Sequence, residues 1–451
     1  MVEPSLGPTP GTQDPEAVST KQRRIAALAR QHPQRVFIAL NHFMDKAWLY
    51  QAYVRTRKDA APGIDGVTAQ AYERNLETHL ASLLERLKSG RYRAPAVRRV
   101  YIDKADGTPR PLGLPTFEDK VAQRAVLMLL EPIYEQDFLN CSYGFRPGRC
   151  AHQALEHLWK AIMNRNGRWI LDLDISNYFG TIDHKQLRTI LDQRVKDGVV
   201  RRLIDKWLKA GVLENGNRTV PTAGTPQGGV LSPLLANVFL HEVLDTWFQE
   251  AVVPRMRGRS TLVRFADDAV CVFEHRDDCQ RVHAVLVKRL AKFGLTLHPI
   301  KTRLVAFGPE PKRPGSSSGG QGDRTFEFLG FTHYWKRSRR GCWIVARKTA
   351  KTRLARALRK VYTYCKRYRH RPLRQQQQRL SQMLRGHYGY YGIVGNSRSI
   401  KNFAYQTRRI WQKWLKRRDG LRRLTWEKFN AMLERLALPE PRIVHPFGRS
   451  P

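Results

Sequence analysis

The 451-residue chain is long enough for two or three domains, and its 80 Lys and Arg against 39 Asp and Glu leave a net charge of +41, so a polyanionic partner is expected. No run approaches the ~18 uninterrupted apolar residues of a membrane span and no signal peptide opens the chain, which favours nucleic acid over a membrane surface. The six cysteines form no Cys-x-x-Cys pair, arguing against a zinc knuckle or a disulfide framework and fitting a reducing cytoplasm.

Residues Met1 to about Thr20 are rich in Pro, Gly and Thr without an apolar period and read as disordered, with the leader drawn over 1–34. From Arg35 to Lys58, Val36, Phe37, Leu40, Phe43, Met44, Ala47 and Trp48 follow helical spacing and predict a packing helix. Gly63-Ile64-Asp65-Gly66 is a glycine-punctuated turn, after which Thr68 is placed to cap a helix carrying Tyr72, Leu76, Leu80, Leu83, Leu84 and Leu87. Val97 to Asp103 alternates as a strand does, and Asp106-Gly107 turns the chain toward Pro109-Arg110-Pro111-Leu112-Gly113. Taken alone, this is a solvated hairpin flanked by Lys104 and Arg110. A helix is expected over Glu118 to Asp137, followed by the loop Cys141 to Arg149.

In Trp169-Ile170-Leu171-Asp172-Leu173-Asp174-Ile175, the leucines and Ile175 share one strand face and the two aspartates the other. Asp183 and Gln186 have the spacing of a capping box. Pro226-Gln227-Gly228-Gly229 joins a turn former to two permissive glycines, suiting close backbone approach to a nucleotide or template strand, and Leu231 to Leu244 reads as a helix. Thr261-Leu262-Val263 and Val270-Cys271-Val272-Phe273 then flank Asp267-Asp268 at a hairpin turn. An isolated Asp-Asp is most simply a solvated turn. With Asp174 as a third carboxylate, the set suits two divalent ions ~4 Å apart, for which magnesium is the natural choice.

A helix over Asp278 to Phe293 leads to Gly294 through Thr302, which includes Lys301. Residues 309–324 are rich in Pro, Gly and Ser and read as a flexible insertion before Phe326-Glu327-Phe328-Leu329-Gly330-Phe331. Arg347 to Arg374 carries twelve Lys or Arg and no acid, with Leu354, Leu358, Val361, Cys365 and Tyr368 at helical steps. The cationic faces of such a helix, including Arg356, Arg359, Lys360 and Arg367, would track a phosphate backbone. Beyond Ile400, Trp411, Trp414 and Trp426 interleave with Arg408, Arg409, Lys413, Lys416, Arg417 and Arg418, a module whose aromatics either meet nucleic acid or form its own core.

Phe265-Ala266-Asp267-Asp268, preceded by Asp174-Ile175-Ser176-Asn177-Tyr178-Phe179 and by Thr225-Pro226-Gln227-Gly228-Gly229-Val230-Leu231-Ser232-Pro233, resembles the palm of a reverse transcriptase. Gly63-Ile64-Asp65-Gly66-Val67-Thr68 narrows the resemblance to the group II intron reverse transcriptases, or maturases, and family order is kept from about Ala60 to at least Asn402. The resemblance implies an α+β right-hand polymerase with fingers, a palm built on an antiparallel sheet, and a helical thumb. It places the N-terminal extension and fingers over 35–160, the palm over 161–335, the maturase or thumb domain over 336–399 and a basic DNA-binding tail over 400–451. Asp174, Asp267 and Asp268 become catalytic metal ligands, and Lys104 and Arg110 hold the incoming triphosphate. Phe179 becomes the ring that leaves no room for a 2′-hydroxyl, Gln227 borders the nucleotide pocket, and Lys301 lies near the active site. Gly386-His387-Tyr388-Gly389-Tyr390-Tyr391-Gly392 matches the maturase-specific thumb motif.

The implied activity is that of a Mg2+-dependent RNA-directed DNA polymerase in a bacterial cytoplasm, extending a DNA primer on an RNA template with deoxynucleoside triphosphates. It also implies binding of the parent group II intron RNA to promote splicing, and reverse transcription of that RNA during retrohoming into target DNA. Two other readings stay open at this point: a reverse transcriptase recruited to host defence or repair, and an RNA-binding splicing factor without polymerase activity, against which the three aspartates speak. The stretch after Ile400 holds no cysteine and only His445 among histidines, so no metal-dependent endonuclease is expected in it.

Overall fold

The computed structural model describes residues 15–103, 109–164, 166–214, 217–219, 223–225, 228–309, 324–418 and 424–445. Most of the expected insertion at 309–324 therefore lies outside the described residues. The fold is mixed α and β, and the chain forms two compact units. One gathers residues up to 150, 173–271 and 277–302, and the other 151–172, 272–276 and 303 onward. These units do not follow the linear boundaries at 160, 335 and 399 expected from the sequence.

In the first unit the leader expected to be disordered over 1–34 is corrected, because Pro15–Gln31 is a helix. Val18, Ile25 and Ala29 fall on one face of it and are buried, and Gln22 reaches the Met128 carbonyl at 3.0 Å. Residues 35–58 are likewise not one helix but a 3-10 turn, Asn41–Phe43, and a helix, Lys46–Val54. The interruption has a distant cause. One carboxylate oxygen of Asp197 accepts from the backbone N–H groups of Leu40 (2.6 Å) and Asn41 (2.9 Å), taking donors that a continuous helix would use internally. Asp45 then caps the helix by accepting from the Trp48 N–H at 2.9 Å.

Local signals hold better. Thr68 accepts from the Ala71 N–H, and Asp183 from that of Gln186 at 2.8 Å, so both caps sit where the sequence puts them. Val97–Asp103 and Pro109–Leu114 pair antiparallel with Ile102 opposite Arg110. Phe117–Asp137 is a helix buried along most of its length, which its long apolar runs require. Ser232–Leu240 continues through π-helical turns over His241–Thr246 and Phe248–Val252. Ser260–Phe265 and Asp268–Phe273 are adjacent strands, and the strand Trp169–Asp174, whose last two residues belong to this unit, lies beside the second of them.

In the second unit, residues 169–172 pair antiparallel with 303–306. Phe326–Phe328, Phe331–Arg337 and Trp343–Thr349 form a three-stranded antiparallel sheet. Among the described residues four helices follow: Lys351–Arg367, Leu373–Tyr391, Ser397–Leu415 and Trp426–Arg435. The cationic helix expected over Arg347 to Arg374 is thus shorter at both ends, because Arg347 is a buried strand residue opposite His333. The tail expected over 400–451 is not separate either. Its boundary cuts the third of these helices, and Ile400, Phe403, Trp411, Trp414 and Phe429 share one core with Val361, Leu380 and Leu384. Among the described residues no helix is long and apolar enough to cross a membrane.

Ending the chain after Ile400 should therefore abolish cooperative unfolding of the helical unit in calorimetry. Removing any one buried aromatic from such a core costs about 3–5 kcal/mol, and the truncation removes several. A truncated chain that unfolds at the full-length temperature would show that the first two helices stand without the rest.

Candidate active site

The paired aspartates sit at a two-residue turn with a strained backbone. Ala266 has φ of +58°, the left-handed region that costs a non-glycine residue about 1–2 kcal/mol. What holds it there is Arg264, whose side chain is fully buried. Its Nη1 donates to the Ala266 carbonyl (2.8 Å) and to Asn237 Oδ1 (2.9 Å). Its Nε and Nη2 form a fork onto the Asp245 carboxylate at 2.7 and 2.5 Å, and Nη2 also donates to Ser142 Oγ at 2.8 Å. Burial alone would lower the basicity of this guanidinium, but Asp245 outweighs it and holds the group above its ordinary value.

The same arginine ties in the loop after Phe138. Its backbone N–H donates to the Cys141 carbonyl (2.8 Å) and its carbonyl accepts from the Tyr143 N–H (2.9 Å). A Cβ on Gly144 would stand 2.3 Å from the Ala266 nitrogen, so that position admits only glycine, and Asn237 Nδ2 fixes its carbonyl at 2.7 Å. Arg264, Asp245, Asn237 and Ser142 escaped the reading of the sequence. The available signal was an arginine in step with Leu262 and flanked by Val263 and Phe265 on a strand, a buried cation that demands a buried acid.

Asp267 is half-buried, and burial pushes its carboxyl above the usual range; the Asp174 charge pushes it further, while the cations of Arg110 and Arg264 oppose. The structure thus brings Asp174, Asp267 and Arg110 within electrostatic reach of one another. Asp268 opens the second strand beside them. Asp174 is anchored through its backbone, with its carbonyl accepting from the His298 N–H (2.7 Å) and the Thr302 hydroxyl (3.3 Å). Its carboxylate meets Lys301 Nζ at 3.0 Å. Both partners are partly exposed, so the pair contributes at most about 1 kcal/mol and opens readily. Among the described residues no three His, Cys, Asp or Glu side chains gather as a ready metal cluster. Asp172, the other aspartate of that strand, pairs with Arg303 at 3.2 Å instead.

Of the expected nucleotide-binding residues, Lys104 and Gln227 lie outside the described residues. Arg110 is exposed on its strand. Phe179 is 8% exposed in the short helix Tyr178–Thr181, and its carbonyl accepts from the Thr225 N–H at 2.7 Å. Gly228, at φ +113°, lies so close to the first hairpin that a Cβ would meet the Gly113 carbonyl oxygen at 2.5 Å. The side chains of Arg356, Arg359, Lys360 and Arg367 stand on the helix Lys351–Arg367 with no ion pair among the described residues, Arg356 being half-exposed and the other three exposed.

Paired aspartates on a buried-arginine turn, with a third beside them in a mixed α and β chain, are consistent with a polymerase fold of the reverse transcriptase kind. Residues 102–333, just over half of the chain, match the reverse transcriptase (RNA-dependent DNA polymerase) family, and the chain belongs to it. Within that family it stands with the group II intron-encoded proteins and maturases. It is 36% identical over 268 residues to protein YkfC of Escherichia coli K12, covering 55% of this chain and 70% of YkfC. It is 38% identical over 222 residues to the group II intron-encoded protein LtrA of Lactococcus lactis subsp. cremoris, covering 49% of this chain and 37% of LtrA. Nuclear intron maturase 4 of Arabidopsis thaliana is 29% identical over 169 residues, 37% of this chain and 21% of that protein. The chain therefore matches little more than a third of LtrA's length.

Asp245→Asn should destabilise the first unit by about 3–5 kcal/mol in denaturant titrations, since it leaves the Arg264 cation buried and unpaired. Arg264→Lys keeps the charge but cannot reach Asp245 and the Ala266 carbonyl together, so primer extension should fall more than stability does. Wild-type extension by Arg264→Lys would show that the turn keeps its shape without the fork.

Proposed function

We propose that this chain is an RNA-directed DNA polymerase working by the two-metal mechanism, and that it also binds group II intron RNA, promoting its splicing and copying it during retrohoming. The observation that carries the proposal is Asp267, a carboxylate held on a strained turn, half-buried and facing the charge of Asp174. Burial and repulsion both penalise its ionised form, and a divalent ion with hard oxygen ligands relieves both penalties. Asp174, Asp267 and Asp268 would be the ligands, Asp174 exchanging Lys301 for the ion. Magnesium, when bound, supplies the charge that activates the primer 3′-hydroxyl and offsets that on the leaving pyrophosphate.

The chain's own residues do the rest. Arg264 keeps the turn in the shape that aims both hairpin carboxylates. Arg110 and Lys104, on the hairpin read as fingers, hold the triphosphate, Arg110 with a planar fork and Lys104 with a point charge. Phe179 packs against C2′ of the sugar and excludes a 2′-hydroxyl. Gln227 and the tight backbone at Gly228 border the nucleotide, and Lys301, once released from Asp174, is a mobile cation at the same site. The helices from Lys351 onward serve as thumb and maturase surface. Arg356, Arg359, Lys360 and Arg367 there contact RNA phosphates, and target DNA is the other polyanion the charge suits.

Asp174→Asn, Asp267→Asn or Asp268→Asn should each abolish DNA synthesis on a primed RNA template while RNA binding persists, because an amide lacks the charge the ions need. Extension near the wild-type rate by any of the three sinks the assignment. Phe179→Ala should admit ribonucleotides, measured as the ratio of ribonucleotide to deoxynucleotide incorporation; an unchanged ratio leaves Phe179 as core alone. Neutralising Arg356, Arg359, Lys360 and Arg367 together should weaken RNA binding and flatten its dependence on salt, each lost contact removing about 0.7–0.9 of a released counterion. An unaltered slope would mean that this face is merely solvated.

A further inference from the structure

The helices Ser397–Leu415 and Trp426–Arg435 border a pocket of about 530 Å3, a size suited to a small organic ligand. Arg409, Lys413, Lys416 and Arg417 line it, and no acid does among the described residues. Arg409 and Lys413 lie one turn apart on the first helix, Lys416 and Arg417 follow directly after its end, and none of the four forms an ion pair among the described residues. Like charges so gathered repel unless an anion comes between them. That anion is not the whole ligand, because two further features of the pocket ask for something else.

The first is Trp426, a lining residue that remains 43% exposed. Its ring is braced edge-to-face on Phe429 at 5.7 Å, and Phe429, fully buried, stands edge-to-face on the buried Trp411 at 5.8 Å. The indole is therefore held in place before any ligand arrives, and a flat partner stacks on it with little loss of side-chain freedom. The second is Gln412, another lining residue, 5% exposed, whose Nε2 finds no hydrogen-bond acceptor among the described residues. A buried amide donor left unpaired is costly, and an acceptor presented from inside the pocket would satisfy it.

Free phosphate answers the cations and leaves Trp426 and Gln412 unused. A paired base has its faces stacked and its edge engaged. One unpaired nucleotide in a strand offers a flat face, an edge with acceptor atoms and a phosphate on either side. We infer that this pocket takes one unpaired nucleotide, with its base stacked on Trp426, its edge accepting from Gln412 and its flanking phosphates on Arg409, Lys413, Lys416 and Arg417. The inference rests on the reading of the chain as a nucleic-acid enzyme, which supplies the strand, and is independent of the polymerase residues.

The test uses the full chain and single-stranded oligonucleotides, one DNA and one RNA, each with 2-aminopurine at one position of an otherwise uniform sequence. Matched strands carry an abasic site there. Fluorescence of the 2-aminopurine should be quenched on binding to the wild type and to Trp426→Phe, and the quench should be lost with Trp426→Ala. That variant should bind the base-bearing strand roughly tenfold more weakly and the abasic strand no differently. Gln412→Leu should weaken only the base-bearing strand, and Lys413→Gln with Lys416→Gln should weaken both. Quenching in either arm supports the pocket, and the tighter arm names its strand. A quench that survives Trp426→Ala, or abasic strands bound as tightly as base-bearing ones by the wild type, overturns it and leaves a phosphate surface only. The abasic comparison needs no variant to fold. Primer extension by the wild type separates the two readings: extension without a base-dependent signal removes the pocket alone, and the signal without extension removes the polymerase alone.

Discussion

Everything at the candidate active site depends on a pair of charges that never meet solvent. Arg264 and Asp245 are both buried, and their fork supports a left-handed alanine, a serine hydroxyl and an asparagine carbonyl at once. A hydrophobic pair of the same volume would be as stable or more so. The ions earn their place by direction: guanidinium hydrogen bonds run along fixed lines, and one of them ends on the backbone whose next residue is Asp267. Apolar packing could fill that space but could not specify the carbonyl's orientation.

Above that foundation lies a surface of deliberate electrostatic frustration. Asp267 and Asp174 repel, Arg110 partly compensates, and Lys301 occupies the Asp174 carboxylate in a pair weak enough to exchange. The acids are few, in a chain whose cations outnumber them about two to one. Among the described residues, cations on the helix Lys351–Arg367 and around Trp426 stand without ion pairs. Under the proposed function each such place takes a visitor of opposite sign, a divalent ion at the turn and phosphates on the helices.

Local chemistry was legible in the sequence and long-range chemistry was not. Asp267, Asp268 and Asp174 announce themselves because acids interrupt apolar alternation, and Thr68 and Asp183 because a cap bonds within three residues. The break near Leu40 was invisible, since Asp197 causes it from 157 positions away. The helix Pro15–Gln31 was hidden by a Pro- and Thr-rich start that outweighed the few apolar residues on its buried face. Trp411 and Trp414 read equally well as a core or a nucleic-acid surface because a basic amphipathic helix needs an apolar stripe in either case; burial decides for the core, leaving Trp426 outside it. Arg264 passed unnoticed because its acid lies 19 residues back in the chain.

The interleaving of the two units also bears on how such a protein can change over generations. The chain passes from one to the other five times, and the strand that ends in Asp174 begins in one unit and finishes in the other. No single crossover in the gene can exchange one unit while leaving the other whole. A break after Thr302 transfers residues 303 onward but separates them from residues 151–172 and 272–276 of the same unit. Exchanging one unit intact would need several coordinated crossovers.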